Sequence, residues 1–213
     1  TSPSAYSGSW LDCRGCVEPI VTATDKDGNL GYNSILIVKS DSPYRTVEEL
    51  AGKIVARTEP NSQSGYLVPT IEFAKLGKPI DTYFKSPVSG GHTQSVLGVL
   101  GGTYDAAFTW TTKGDGYGQL RTMIDRNLLK RDQIRVVWES SLVPPPPVIV
   151  RADLPADLKM ELTKLFVELH KEDMSLAEAV AKGKTQGFVK IDHKAYESTV
   201  EMRKQLAAAR KKG

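Results

Sequence analysis

Apolar residues in this chain come in short runs broken by polar or glycine-rich turns, and the runs alternate between two periods. Val17 to Thr24 and Tyr32 to Lys39, the latter carrying Ile35-Leu36-Ile37-Val38, predict strands. Thr46-Val47-Glu48-Glu49 is a capping box that opens a short helix ending near Gly52, and Ile54 to Ala56 predicts a buried strand. A polar turn, Glu59 to Gly65, then leads into a helix over Tyr66 to Leu76, with Pro69 tolerable only near its first turn. Next come a strand near Phe84 to Pro87, the turn Ser89-Gly90-Gly91, a helix opened by His92 and a strand over Asp105 to Trp110. A helix around Gln119 to Leu129 and a strand over Ile134 to Glu139 follow. Strand-helix alternation of this kind predicts an α/β fold whose sheet is mainly parallel and covered by helices.

Leu142-Val143 and the four prolines 144–147 predict an extended connector, since each proline removes an amide donor and biases its predecessor away from the helical region. Beyond Val148 to Arg151 the pattern turns helical: Pro155 to Lys171, a short helix near Ser175 to Ala181, and a long amphipathic one from His193 into the tail. The chain therefore reads as two lobes, 1–40 with 145–213 and 41–144. Thr1 to Gly8, rich in Ser, Pro and Gly, reads as a loop.

Length and composition fit this picture. At 213 residues, 40% hydrophobic and 25% charged, the chain is too apolar for a disordered segment. Its formal charge of +3 lies mostly in Arg210, Lys211 and Lys212, a basic tail without the basic face or interleaved aromatics of a nucleic-acid binder. The aliphatic run at 35–38 falls far short of the roughly 18 residues of a membrane span. No charged n-region and apolar h-region opens the chain, as expected of a cytosolic protein or of one whose export signal is already absent.

Candidate chemistry gathers at two turns. Ser62-Gln63-Ser64-Gly65 joins a strand to a helix, so two hydroxyls and free backbone N–H groups converge with the positive end of a helix dipole, the recipe for holding a tetrahedral oxyanion. Ser89-Gly90-Gly91-His92-Thr93 repeats the arrangement one unit later, with His92 and Thr93 as side-chain donors. Each turn alone is also what an ordinary helix cap looks like. His170 and His193 sit in charged helical contexts and read as solvated surface residues, and Tyr32 and Trp110 read as core or cleft lining. Asp25-Lys26-Asp27-Gly28 lacks the further carboxylates of a calcium loop and reads as a turn. Cys13-Arg14-Gly15-Cys16 fits a thiol pair, a local disulfide or half a zinc site; without a second Cys/His pair, zinc is the weakest of the three. No nucleophile elbow, phosphate loop, dinucleotide fingerprint or zincin motif is present, so no catalytic residue, cofactor or metal is expected.

Several segments converge on one family. Gly31 to Val38, Asp41-Ser42-Pro43, Pro60-Asn61-Ser62-x-Ser64-Gly65-x-Leu67-Val68-Pro69, Gly91-His92 and Val137-Trp138-x-Ser140-x-Leu142-x-Pro144 resemble the PhnD-like substrate-binding proteins of phosphonate ABC transporters. The resemblance runs from about Ser2 onward and implies a two-lobed type II periplasmic-binding-protein fold with the phospho-oxyanion in the interlobe cleft. Its ligand positions map onto Tyr32, Ser62, Gln63, Ser64 and His92. Ser2-Pro3-Ser4-Ala5-Tyr6 is similar to a cleft loop of many members, which adds Ser4 and Tyr6, while Thr93 and Trp110 complete the candidate set from their own positions. The resemblance further implies a permease partner, a periplasmic or lipid-anchored location, and a first lobe lacking its N-terminal part.

Members that hold aminoalkyl phosphonates place carboxylates against the ligand's ammonium. Here Thr111, Thr112 and the prolines stand at those places, leaving only Asp115 within reach. The expected function is thus a non-enzymatic receptor for phosphonate, phosphite or a similar small anion, the alternative being an enzyme or sensor domain that uses His92 for proton transfer.

Overall fold

The structure, a computed structural model, describes residues 1–181 and 183–210. In chain order its elements are α1 (Pro3–Asp12), β1 (Val17–Ala23), β2 (Asn33–Lys39), β3 (Val55–Ala56), α2 (Val68–Lys75), α3 (Ile80–Tyr83), α4 (His92–Leu100) and β4 (Ala106–Thr111). There follow α5 (Gln119–Asp125), β5 (Ile134–Glu139), β6 (Pro147–Arg151), α6 (Ala156–Glu172), α7 (Met174–Ala181), β7 (Phe188–Lys190) and α8 (Glu197–Arg210). Lys211 and Lys212 of the basic tail lie outside the described residues. Contacts divide the chain into two compact units, one from Thr1–Gly31 and Pro144 onward, the other from Tyr32–Val143. Residues 32–40, expected with the first lobe, belong to the second unit because β2 pairs there with β4 and β5.

In the second unit the strand order is β3-β4-β2-β5. β2 is buried on both faces, which is why its sequence is a continuous apolar run rather than an alternating one. Ile35 and Ile37 pack with Val96, Val99, Leu120 and Met123, while Leu36 and Val38 pack with Leu50, Phe73, Ile80 and Phe108. Truncating any of these four side chains to alanine would cost roughly 2–5 kcal/mol.

The expectation of mainly parallel sheets is corrected. Among the named strands only β3 and β4 pair in parallel, and β2 runs antiparallel to both β4 and β5. The strand-helix-strand steps do keep β4 and β5 in one direction, since both oppose β2. The insertion of β2 between them turns each neighbouring pair antiparallel. In the first unit the same thing happens: β1 lies between β6 and β7 and is antiparallel to each. Its core is Ile20, Val21, Leu169, Ala177 and Phe188, with Phe166 from α6 against Phe188.

Three local expectations also change. Thr1 to Gly8 is not a loop, because Ser2 caps α1 by accepting from the Ala5 N–H (3.0 Å) and Pro3 sits where a helix needs no donor. Phe84 to Pro87 makes only isolated parallel bridges, Ile54 with Lys85 and Arg57 with Val88, since Pro87 has no N–H to extend a ladder. The helix expected to run to Leu129 stops at Asp125, just before Asn127 turns left-handed (φ 56°). The Thr46–Glu49 capping box is present, with reciprocal bonds of 3.0 and 3.4 Å over a single 3₁₀ turn. The Asp25 carboxylate closes its own turn by accepting from the Asp27 and Asn29 N–H groups. Cys13 and Cys16 are joined as a disulfide, which decides among the three readings of that pair.

Candidate anion-binding site

The candidate site lies in the second unit, where β3 and the segment before α4 end in serine-bearing turns. After β3 the chain makes a π turn over Gln63–Leu67, in which the Leu67 N–H donates to the Ser62 carbonyl five residues back (3.0 Å). Pro69 helps this geometry. It has no N–H for the Gly65 carbonyl, which instead accepts from the Thr58 N–H at 3.0 Å and ties the turn to the end of β3. Ser62 caps the turn by accepting from the Gly65 N–H (3.2 Å), and Ser34 on β2 donates to the Ser64 carbonyl (2.6 Å). Glycine is required at position 65 because a Cβ there would stand 2.0 Å from Thr58 Oγ1.

His92, the first residue of α4, links the two turns. Its Nε2 lies 3.3 Å from Ser62 Oγ and its Nδ1 3.3 Å from Thr109 Oγ1 on β4. A neutral imidazole offers one donor and one acceptor, matching two hydroxyls that can each play either part. Burial pushes the His92 pKa down to about 4, so the ring is neutral at pH 7. The Ser89 hydroxyl lies 2.6 Å from that of Ser95 and fixes the second turn onto α4. Thr93 accepts from Gln119 Nε2 (2.9 Å).

Trp110 closes one side. Its ring meets Tyr32 at 5.1 Å, Tyr117 at 5.6 Å and His92 at 6.5 Å, all edge to face. Burial raises the pKa of Tyr32 further above its ordinary value, so its hydroxyl stays protonated and can donate. Asp115, the one carboxylate left within reach by the sequence, accepts from Thr111 Oγ1 (2.8 Å) and is ion-paired with Arg131.

The structure thus brings Tyr32, Ser62, His92 and Trp110 together through direct contacts, with Gln63 and Ser64 buried in the same turn. Ser4 and Tyr6 are in the other unit and serve its packing. Both are fully buried, Ser4 Oγ accepting from Arg203 Nη2 (2.6 Å) and Tyr6 OH lying 2.6 Å from His193 Nδ1. Both side chains thus meet residues near the far end of the chain. His193 is likewise not a solvated surface residue, since its ring stacks on Trp10 at 4.3 Å. His170 is half-buried, with its Nδ1 enclosed beside Gly187. Thr109, Ser34 and Arg57 are members of the site region that sequence reasoning passed over. Among the described residues no cluster of His, Cys, Asp and Glu could hold a metal, and no helix is long and apolar enough to cross a membrane.

Two α/β units, each with a strand inserted antiparallel between two others, make the fold that of a type II periplasmic binding protein. A binding-protein component of an ABC phosphonate transporter from Pseudomonas aeruginosa has this fold with a TM-score of 0.73, at 24% identity over 95% of this chain and 66% of its own. The chain belongs to the family of periplasmic substrate-binding proteins of phosphonate ABC transporters, which it matches over residues 6–196. It is 31% identical over 149 residues to the phosphonates-binding periplasmic protein of Escherichia coli K12, covering 68% of this chain and 42% of that protein. It is 34% identical over 127 residues to the phosphate-import protein PhnD of Mycolicibacterium smegmatis, covering 56% of this chain and 38% of that one. The matches therefore span about two fifths of the length of these two relatives.

Proposed function

We propose that this chain is the binding part of an extracytoplasmic solute receptor of an ABC importer and that it holds a small phospho-oxyanion, such as phosphite or a simple phosphonate, without chemical turnover. The ligand groups are Ser62, Gln63, Ser64, His92 and Thr93 with the N–H groups of their turns, bordered by Tyr32 and Trp110. One observation carries the reading: Ser62 both caps the π turn and meets His92, so two anion-ready turns form one site rather than two separate caps. Family membership supports the ligand class, and the Cys13–Cys16 disulfide supports an oxidising compartment. The importer's permease is the protein partner this reading implies. Calorimetric titration with phosphite, methylphosphonate and inorganic phosphate tests it. Binding of at least one, weakened by roughly 1–3 kcal/mol in Ser62→Ala with Ser64→Ala, is expected; no binding of any to the folded protein refutes it.

A second reading, an enzyme or sensor domain using His92 for proton transfer, draws on the Ser62–His92–Thr109 chain, which has the layout of a nucleophile, base and orienting group. Here a threonine stands where a carboxylate would stabilise the imidazolium, and the low pKa weakens His92 as a base. Release of inorganic phosphate from methylphosphonate or a phosphate ester, followed by ³¹P NMR, would favour this reading over the first.

A further inference from the structure

We propose that Arg57 is a positioning residue that sets the spacing between the two anion turns; the proposal rests on the oxyanion reading of the Ser62–His92 site. Arg57 is the residue after β3, and it holds one turn with its backbone and the other with its side chain. On the backbone side its N–H donates to the Pro87 carbonyl (3.0 Å) and its carbonyl accepts from the Ser89 N–H (2.8 Å). These two bonds fix the segment that runs directly into Gly91 and His92. On the side-chain side, the guanidinium lies 4.3 Å over the ring of Tyr66, a residue of the π turn that carries Ser64 and Gly65. It also donates to Thr70 Oγ1 (3.3 Å), whose own hydroxyl donates to the Tyr66 carbonyl (2.6 Å), and it is ion-paired with Asp81 at the start of α3.

The burial of this group is unusual enough to need a reason. The Arg57 side chain is 5% exposed and its Asp81 partner 69% exposed, so the cation is inside the unit while the carboxylate stays in water. A pair of that kind gives little stability in return for desolvating a guanidinium. Arg57 Nε is enclosed with no hydrogen-bond partner among the described residues, a further cost. An apolar side chain would fill the space more cheaply but could not stack, donate in a plane and pair at once. Lysine could not either, having a point charge in place of the planar fork. Arg57 acts through Tyr66 on the first turn and through Ser89 on the second, and the Ser62–His92 contact at 3.3 Å is the distance it controls.

The test compares wild type with Arg57→Met, Arg57→Lys and Tyr66→Leu. The first readout needs no ligand: the ring ¹⁵N shifts of His92, one of three histidines, report whether Ser62 still meets it. Altered His92 shifts with unaltered His170 and His193 are expected in Arg57→Met. The second readout is calorimetric affinity for methylphosphonate, expected to fall about 10- to 100-fold in Arg57→Met, with Arg57→Lys recovering only part of the loss. Tyr66→Leu, which removes the stacking platform and leaves the cation, is expected to lose about tenfold and covers the case in which Arg57→Met does not fold. Unchanged His92 shifts in folded Arg57→Met, or affinity within about twofold of wild type in both Arg57→Lys and Tyr66→Leu, would overturn the proposal. If wild type binds none of methylphosphonate, phosphite and inorganic phosphate, the oxyanion reading is what fails, and the His92 shifts still decide the role of Arg57; if it binds one of the other two, that anion replaces methylphosphonate in the affinity readout.

Discussion

Gly65→Ala is the sharpest perturbation of the π turn, because the structure shows what the added methyl would meet. Its Cβ would stand 2.0 Å from Thr58 Oγ1, 2.4 Å from Thr58 Cγ2 and 2.7 Å from Thr58 Cβ. Rotating the Thr58 side chain could relieve the first two contacts but not the third, so the backbones must part. They are tied together, however, by the Thr58 N–H to Gly65 carbonyl bond, and Thr58 is fully buried. Overpacking of this kind costs about 1–3 kcal/mol, and weakening one backbone bond adds about 1 kcal/mol, giving about 2–4 kcal/mol in total. For a protein of this size that is a fall in Tm of about 4–16 °C.

Urea unfolding of wild type, Gly65→Ala, Thr58→Ala and the double variant measures the effect as a cycle. Thr58 Oγ1 has no hydrogen-bond partner among the described residues, so Thr58→Ala loses packing alone. The double variant, keeping only the 2.7 Å contact, should regain part of the stability that Gly65→Ala loses. Stability of Gly65→Ala within about 0.5 kcal/mol of wild type, or no recovery in the double variant, would refute the close-approach argument.

The remaining predictions concern pH, redox state and selectivity. Because burial holds the His92 pKa at about 4, below its usual 6.5, the unfolded chain takes up the proton first as pH falls. Stability is therefore full above about pH 6.5 and is lost toward pH 4 at no more than about 1.4 kcal/mol per pH unit. His92→Gln should flatten that part of the urea-midpoint curve, and an unchanged slope would contradict the assignment. Replacing Cys13 and Cys16 by serine opens a loop with only Arg14 and Gly15 between the cysteines, worth up to about 2 kcal/mol in chain entropy, so the double variant should fold with a modestly lowered Tm; a collapse of the melting transition would show that the disulfide has a larger role. Asp115 is already engaged by Thr111 and Arg131, and a ligand ammonium without a free carboxylate is costly to bury, so phosphite or methylphosphonate should bind more tightly than 2-aminoethylphosphonate. Titrating the three side by side checks this, and the amino compound binding tightest would reverse it.

Much of the local structure was legible in the sequence because its causes are local. The apolar run at 35–38 reports a strand covered on both faces, the Thr46–Glu49 box reports a helix start, and Pro69 marks the first turn of α2. The two serine-bearing turns were readable for the same reason: serine and glycine between a strand and a helix mark a chain reversal and a cap whatever the rest of the chain does. Ser2-Pro3 carried an equally local helix signal, an N-cap followed by proline, which the Ser/Pro/Gly-rich composition of the segment obscured.

What the tertiary structure decided was everything set by partners distant in the chain. Strand direction is one such property. The alternation of strands and helices correctly keeps β4 and β5 in one direction, but nothing in the sequence of β2 says that it enters between them. The contacts of Ser4 and Tyr6 are another, made with Arg203 and His193 at separations of 199 and 187 residues. His92 was recognisable as a donor, yet its neutrality follows from burial and its orientation from Thr109 on a neighbouring strand. Arg57 gave no sign at all, since an arginine after a short strand has the same local pattern whether it lies in water or inside. Local patterns record backbone propensity and unspent hydrogen bonds; burial and pairing depend on which segments the fold brings together, and only the packed chain holds that information.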